Sequence, residues 1–276
     1  MNRILPFIAL FIFVSACAPQ TLYRRQALVP SPQAPPYRGE PVGKKHMEFQ
    51  VQLSGSHAEE EEFPEYYDDA LWVPEFMINA AGMFGVIDFL DLGFLFTYAH
   101  GSWANKTANG TPPMTDDEKN IFAIGPQIGA GAKLLGGKLF LGGYASIQYA
   151  RMPWSEWRLE DPDDILHSGC YERVDHGADD EFYYRLGFFV GSRPVKWVAL
   201  HAGVVLHAAW KNIGFSDENY SGSTLKQTTP LIMPLFGVRF DVKPVFLEAS
   251  MTFPLSTVSE IDYFPIGWSA GLGIRI

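Results

Sequence analysis

The chain has 276 residues, enough for one large domain or two small ones, and a formal net charge of −10 at pH 7. This charge argues against a nucleic-acid partner, which would need a basic surface. Aromatic residues make up 14% of the chain and glycine contributes 26 residues, which favours β structure with close backbone contacts over a helical bundle.

Residues 1–16 have the pattern of an export signal. Arg3 precedes an apolar run from Ile4 to Val14 that is too short for a stable membrane-spanning helix. The sequence Val14-Ser15-Ala16-Cys17 resembles the bacterial lipoprotein box. The resemblance implies cleavage before Cys17 and lipid attachment to its thiol, and Ala18 implies outer-membrane sorting where the enterobacterial rule applies. The alternative is an ordinary signal peptide with a chance cysteine.

Residues 17–45 are predicted to form the lipidated cysteine and a proline-rich tether on the periplasmic side. The stretch PSPQAPP cannot form a helix or a central strand, so an extended linker is expected before a folded domain at 46–276. Cys170 is the second of two cysteines. If Cys17 carries lipid, no intramolecular disulfide can form.

From about His46 onward, apolar and small or polar residues alternate with a period of two, which indicates β-strands. In residues 121–134, one parity is wholly apolar, while the other holds glycine, glutamine and lysine. We predict ten strands, at 46–56, 71–86, 91–103, 121–135, 138–152, 181–193, 197–211, 228–241, 245–257 and 265–276.

The predicted connections alternate between short turns and long loops. Short turns are expected near Asp88, at Gly136-Gly137, at 194–196 and near Lys243-Pro244; long loops are expected at 57–70, 104–120, 153–180, 212–227 and 258–264. This pattern resembles outer-membrane β-barrels, which implies an all-β, antiparallel up-and-down transmembrane barrel of about ten strands. Eight or twelve strands are alternatives, because the count is even if both ends are periplasmic.

Aromatic residues cluster where strands meet loops, which predicts interfacial girdles. The outer girdle would contain Tyr66, Tyr67, Trp72, Tyr98, Trp103, Tyr149, Trp154, Trp157, Tyr183, Tyr184, Trp210, Tyr263 and Trp268. The inner girdle would contain Phe84, Phe89, Trp197 and Phe246.

Charged residues fall on the parity opposite the apolar one, which predicts a polar network inside the barrel. Its expected members are Glu48, Glu75, Lys133, Arg185, His201, His207, Arg239, Glu248 and Arg275. A two-residue turn at Lys243-Pro244 places Arg239 opposite Glu248, so we expect a salt bridge between them. A turn at Gly136-Gly137 places Gly129 opposite Tyr144, whose ring is expected to cover the glycine.

The two histidines of WVALHAGVVLHAAW, His201 and His207, share one face of a strand and lie roughly 20 Å apart. They are therefore too distant to bind one metal ion. His167, Cys170 and His176 form a weak zinc candidate, and no cofactor is expected. The acidic loops, among them EEEEFPEYYDD at 59–69, match no defined calcium loop.

The expected role is non-enzymatic: a structural or surface-interaction barrel, or one with a narrow solute path, in contact with outer-membrane lipid and lipopolysaccharide and with its loops extracellular. Two alternatives remain open. A barrel hydrolase would lose activity when rim Asp or His residues are changed, although Asp175-His176 lack omptin spacing and His201 and His207 face inward, unlike those of lipid A deacylases. A lipid-anchored, lipocalin-like barrel would bury its apolar parity inward. The terminal Ile276 departs from the aromatic end common in outer-membrane barrels.

Overall fold

The protein is almost entirely β-structure in a computed structural model that describes residues 23–28, 36–57, 69–72, 76–100, 120–159, 171–209, 231–253, 255 and 266–276. Its strands are β1 (Tyr23–Leu28), β2 (Met47–His57), β3 (Asp69–Trp72), β4 (Phe76–Ile87), β5 (Leu90–His100), β6 (Asn120–Leu134), β7 (Leu139–Leu159), β8 (Tyr171–Val195), β9 (Val198–Ala209), β10 (Leu231–Val242), β11 (Val245–Thr252) and β12 (Ile266–Arg275). Within these ranges, no helix has the length and apolar character needed to cross a membrane.

Ten of the strands close into an antiparallel barrel. Their order around the wall is β7-β6-β5-β4-β2-β12-β11-β10-β9-β8. Pairing of β8 with β7 closes the ring. In chain order, β2 is the first strand of the wall and β12 is the last. These two strands pair with each other, with Arg275 opposite Glu48. The predicted fold, a ten-stranded antiparallel barrel, is confirmed. Strands β1 and β3 lie outside this ring: β1 pairs with the far end of β7 and runs parallel to β3.

The apolar parity of the strands faces outward. Phe188, Val204 and Leu272 are 61%, 41% and 55% exposed, whereas Arg185 and Glu248 are 3% and 4% exposed. An apolar exterior around a polar interior is the arrangement that hydrocarbon requires of a barrel wall, because ionised side chains are costly on the lipid face. The lipocalin-like alternative is therefore wrong, since it requires the opposite orientation.

Several strand ends differ from their predicted positions. Strands β7 and β8 continue past the predicted ends at 152 and 181 and pair with each other from Arg151 opposite Asp180 to Leu159 opposite Tyr171. The sequence predicts a long loop at 153–180, but mutual pairing satisfies the backbone groups of both arms. The described residues of the predicted strand 71–86 belong to two strands, β3 and β4, which have different neighbours in the sheet.

The short turns near Asp88, at Gly136-Gly137 and at Lys243-Pro244 have the predicted positions, whereas the turn predicted at 194–196 lies at 196–197. Gly129 lies opposite Tyr144 and Arg239 lies opposite Glu248. The turn between β6 and β7 is a 3-10 turn at Leu135–Gly137, in which Gly136 and Gly137 have φ of 67° and 85°. Such positive φ values suit glycine, which explains the Gly-Gly pair in the sequence.

Two aromatic residues assigned to the girdles face the lumen instead. Tyr183 and Phe246 are both buried. Each lies on the inward parity of its strand, with Arg185 and Glu248 respectively, and this parity outweighs proximity to a strand end. Phe84, Phe89 and Trp197 are exposed near the short turns, and Tyr149 and Trp268 are exposed near the opposite end.

Candidate functional site: the occupied lumen

The barrel lumen is occupied by the chain's own residues 36–45, here called the lumen segment. Tyr37, Arg38 and Val42 are buried inside the wall, whereas Lys44 and Lys45 are exposed at the end of the segment. The backbone N–H of Lys45 donates to the carbonyl of Gly85 over 2.8 Å. This part of the predicted periplasmic tether therefore lies within the barrel, a placement that the sequence did not indicate.

Glycines in the wall make room for this second backbone. A Cβ at Gly131 or Gly142 would overlap the carbonyl oxygen of Gly39, and a Cβ at Gly85 would overlap that of Gly43. Gly39 itself has a φ of 78°, a conformation that other residues rarely adopt. The small, crowded parity seen in the sequence is thus the surface on which the lumen segment packs.

Asp91 binds the segment at two of its residues. Its carboxylate accepts a hydrogen bond from the hydroxyl of Tyr37 at 3.1 Å and another from the backbone N–H of Val42 at 3.0 Å. The ring of Tyr37, not that of Tyr144 as predicted, covers Gly129, because Tyr37 of the lumen segment occupies the space beside this glycine. The ring of Tyr144 covers Gly187 and stacks on Phe189 at 5.9 Å.

The lumen segment also changes the expected ion pairing. Glu248 pairs with Arg38, and both side chains are almost completely buried, at 1% and 5% exposed. The predicted salt bridge between Arg239 and Glu248 is therefore wrong, although their strand register is right. Arg239 instead contacts Glu48 at 2.8 Å and lies with its guanidinium over the ring of Phe246.

A second charged group joins the segment to the wall nearer the short turns. Glu40 binds Arg193 at 2.6 Å, and Arg193 also binds Asp241 at 2.6 Å. Asp241 pairs in turn with Arg239, and Arg275 binds Glu48; Lys133 lies 3.5 Å from Glu40. These contacts form a continuous network of alternating charge, in which each ion has at least one opposite partner.

The two histidines belong to separate interior contacts. His201 is buried with its Nε2 atom 3.9 Å from the carboxylate of Glu248. The Nδ1 atom of His207 accepts a hydrogen bond from the Nε atom of Arg185 at 3.1 Å, and its ring lies 5.3 Å from that of Tyr183. Across the described ranges, no group of three or more His, Cys, Asp or Glu residues could hold a metal ion.

Uncharged polar side chains line the part of the lumen nearer the long loops. Asn79 donates to Ser54 at 3.0 Å and accepts from Thr97 at 2.7 Å, while Gln148 donates to Thr97 at 3.2 Å. These residues come from four different strands of the wall. Among the described residues, these hydrogen bonds join four strands at this end of the interior.

Some predicted site residues fall outside the described residues, namely Cys17, Glu75, His167 and Cys170; for His176, only the backbone, which pairs in β8, is described. Sequence reasoning missed Tyr37, Arg38, Glu40, Asp91, Arg193 and Asp241. Arg193 and Asp241 share the inward parity of Arg185 and Arg239, so parity could have identified both.

No protein-family model and no curated relative match the chain. Among solved structures, it is similar to the translocator domain of the autotransporter NalP from Neisseria meningitidis, with a TM-score of 0.47 and 9% identity over 83% of this chain and 87% of that one. It is also similar to the N-terminal β-barrel domain of Pseudomonas aeruginosa OprF (TM-score 0.34, 8% identity, 85% and 99% coverage). The outer-membrane protease OmpT from Escherichia coli gives a TM-score of 0.36 and 12% identity, with 84% and 96% coverage.

Proposed function

We propose that the protein is an outer-membrane barrel that acts through its surface, and is neither a solute channel nor an enzyme. The observation that carries this proposal is the lumen segment, which lies across the interior and is bound to the wall at Asp91, Glu248 and Arg193. In a barrel of this size, wall side chains already fill much of the lumen. The added segment fills more of the described lumen, which supports a barrel closed to solutes.

The ion pairs of the lumen segment would keep it in place in the resting protein. Removing one partner of a buried pair costs about 3–5 kcal/mol, because the other ion is left without compensation. Displacing the segment would separate Arg38 from Glu248 and Glu40 from Arg193. Spontaneous opening should therefore be rare.

Planar-bilayer recording tests the closed state directly. We expect the wild-type protein to give no stable conductance steps, while a porin reconstituted by the same procedure conducts. Insertion would be verified by heat-dependent gel migration and by protease resistance of the wall. Stable steps from correctly inserted wild-type protein would contradict the proposal.

The surface role would involve outer-membrane lipid and lipopolysaccharide. The outward apolar parity fits acyl chains, and the carboxylates of Glu59–Glu62 belong to an acidic run that divalent cations could link to lipid phosphates. Changing all four glutamates to glutamine should reduce calcium-dependent binding of lipopolysaccharide vesicles. A control variant would carry Lys138→Gln at a short turn, and equal binding by all three proteins would argue against this role.

The non-enzymatic part of the proposal is supported by the positions of the two described lumen histidines. His207 is engaged with Arg185, and His201 lies behind the lumen segment next to Glu248. Both side chains are buried, with His201 5% and His207 4% exposed. We therefore assign both histidines to the packing of the interior.

A further inference from the structure

We propose that the N-terminus of the mature chain emerges at the long-loop end of the barrel, so that the lipid on Cys17 enters the outer leaflet of the membrane. The lipoprotein would then be anchored at the cell surface and not on the periplasmic side. This inference rests on the proposed outer-membrane function, in which short turns are periplasmic and long loops are extracellular.

The direction of the lumen segment is the first support. Its C-terminal residues reach the short-turn end, where Lys45 contacts Gly85 and Met47 pairs with Ile276. Its earlier residues lie deeper, with Arg38 at Glu248 and Tyr37 over Gly129. Followed backwards from β2, the chain therefore rises through the barrel toward the long loops.

The pairing of β1 is an independent second support. Tyr23 lies opposite Arg158, and Ala27 lies opposite Trp154. Strand β7 pairs with β6 only as far as Arg151, so its residues 154–158 extend beyond that part of the wall on the long-loop side. Residues 23–28 are therefore already outside the lumen at this end.

The reach of the chain decides where Cys17 can lie. Between Cys17 and Tyr23, an extended backbone spans at most about 20 Å. The partner of Tyr23, Arg158, is separated from the short-turn end of β7 at Leu139 by roughly 45 Å along the barrel axis, given a rise of about 3.3 Å per residue and a tilt of about 45°. Cys17 therefore cannot reach the periplasmic leaflet while β1 is paired.

Cysteine labelling on intact cells tests this topology. In a Cys170→Ser background, Thr21→Cys would report on the N-terminal region, Ala108→Cys on a long loop and Lys243→Cys on a short turn. We expect a membrane-impermeant maleimide to label Thr21→Cys and Ala108→Cys equally in intact cells, and Lys243→Cys only after permeabilisation. Mass spectrometry should find diacylglycerol on Cys17.

The outcomes separate this inference from the proposed orientation. Labelling of Ala108→Cys but not of Thr21→Cys in intact cells would overturn the surface anchor and leave the barrel orientation standing. Labelling of Lys243→Cys but not of Ala108→Cys in intact cells would overturn the orientation itself. An unlipidated mature N-terminus would overturn the anchor.

A cross-linking experiment covers the case in which labelling is blocked by neighbouring residues. Gln26 and Ser155 are direct cross-strand partners, so a Gln26→Cys/Ser155→Cys pair should form a disulfide upon mild oxidation. The matched pair Gln26→Cys/Ser192→Cys, with its second cysteine near the short-turn end, should not. Cross-linking of the second pair alone would overturn the proposal.

Discussion

Replacing Glu248 with alanine is expected to destabilise the folded barrel by about 3–5 kcal/mol, because Arg38 would remain buried without a counter-ion. Arg38→Ala should have an effect of similar size, since it leaves the Glu248 carboxylate buried next to His201. Denaturant unfolding in lipid vesicles would measure both free energies.

A double-mutant cycle identifies the true partner of Glu248. We expect a coupling energy on the order of 0.5–3 kcal/mol between Arg38→Ala and Glu248→Ala, because both remove the same contact. The control cycle pairs Glu248→Ala with Arg239→Ala, whose register is directly opposite but whose contacts are with Glu48 and Asp241. A larger coupling in the control cycle would mean that Arg239 is the partner.

Gly131→Val is expected to weaken the binding of the lumen segment to the wall, so that the barrel opens to ions more often than the wild-type barrel. The new side chain would occupy the space of the Gly39 carbonyl, and backbone atoms cannot yield as a flexible side-chain end can. Overpacking of this kind costs roughly 1–3 kcal/mol. Bilayer recording should then show brief conductance steps that the wild-type protein lacks, and trypsin should cleave the folded variant after Arg38 faster than it cleaves the folded wild-type protein.

Ala132→Val is the matched control for this variant. Ala132 is the next residue of β6 and faces outward, so its extra methyl groups would meet lipid and leave the lumen unchanged. We expect this variant to remain closed and resistant to cleavage after Arg38. If Gly131→Val keeps a closed, resistant lumen, the lumen segment does not depend on the space beside Gly131.

The wall of the barrel was predictable because each strand repeats one simple constraint. Lipid excludes charge from one face, so the parity of Phe188 and Leu272 indicated the orientation of whole strands. Tight turns then fixed the registers of Arg239 with Glu248 and of Gly129 with Tyr144. The paired extensions of β7 and β8 were missed, because acidic and proline residues obscured the alternation.

The contents of the lumen were not predictable in the same way. Residues 36–45 carry no periodic pattern, and proline immediately before them suggested a linker. Asp91 begins the predicted strand 91–103, and nothing in the alternation distinguishes an aspartate that binds a second segment from one beside a turn. Only the barrel geometry shows that the glycines leave space for a second backbone and that Arg38 competes for Glu248.

The position of the lumen segment constrains how the protein is assembled. Residues 36–45 precede all ten wall strands in the sequence, and they pack against residues of several of these strands, among them Asp91 of β5 and Tyr144 of β7. We therefore expect the wall strands to fold around this segment, with the pairing of β2 and β12 enclosing it. In this order of assembly, the lumen segment is in place before the wall of the barrel is closed.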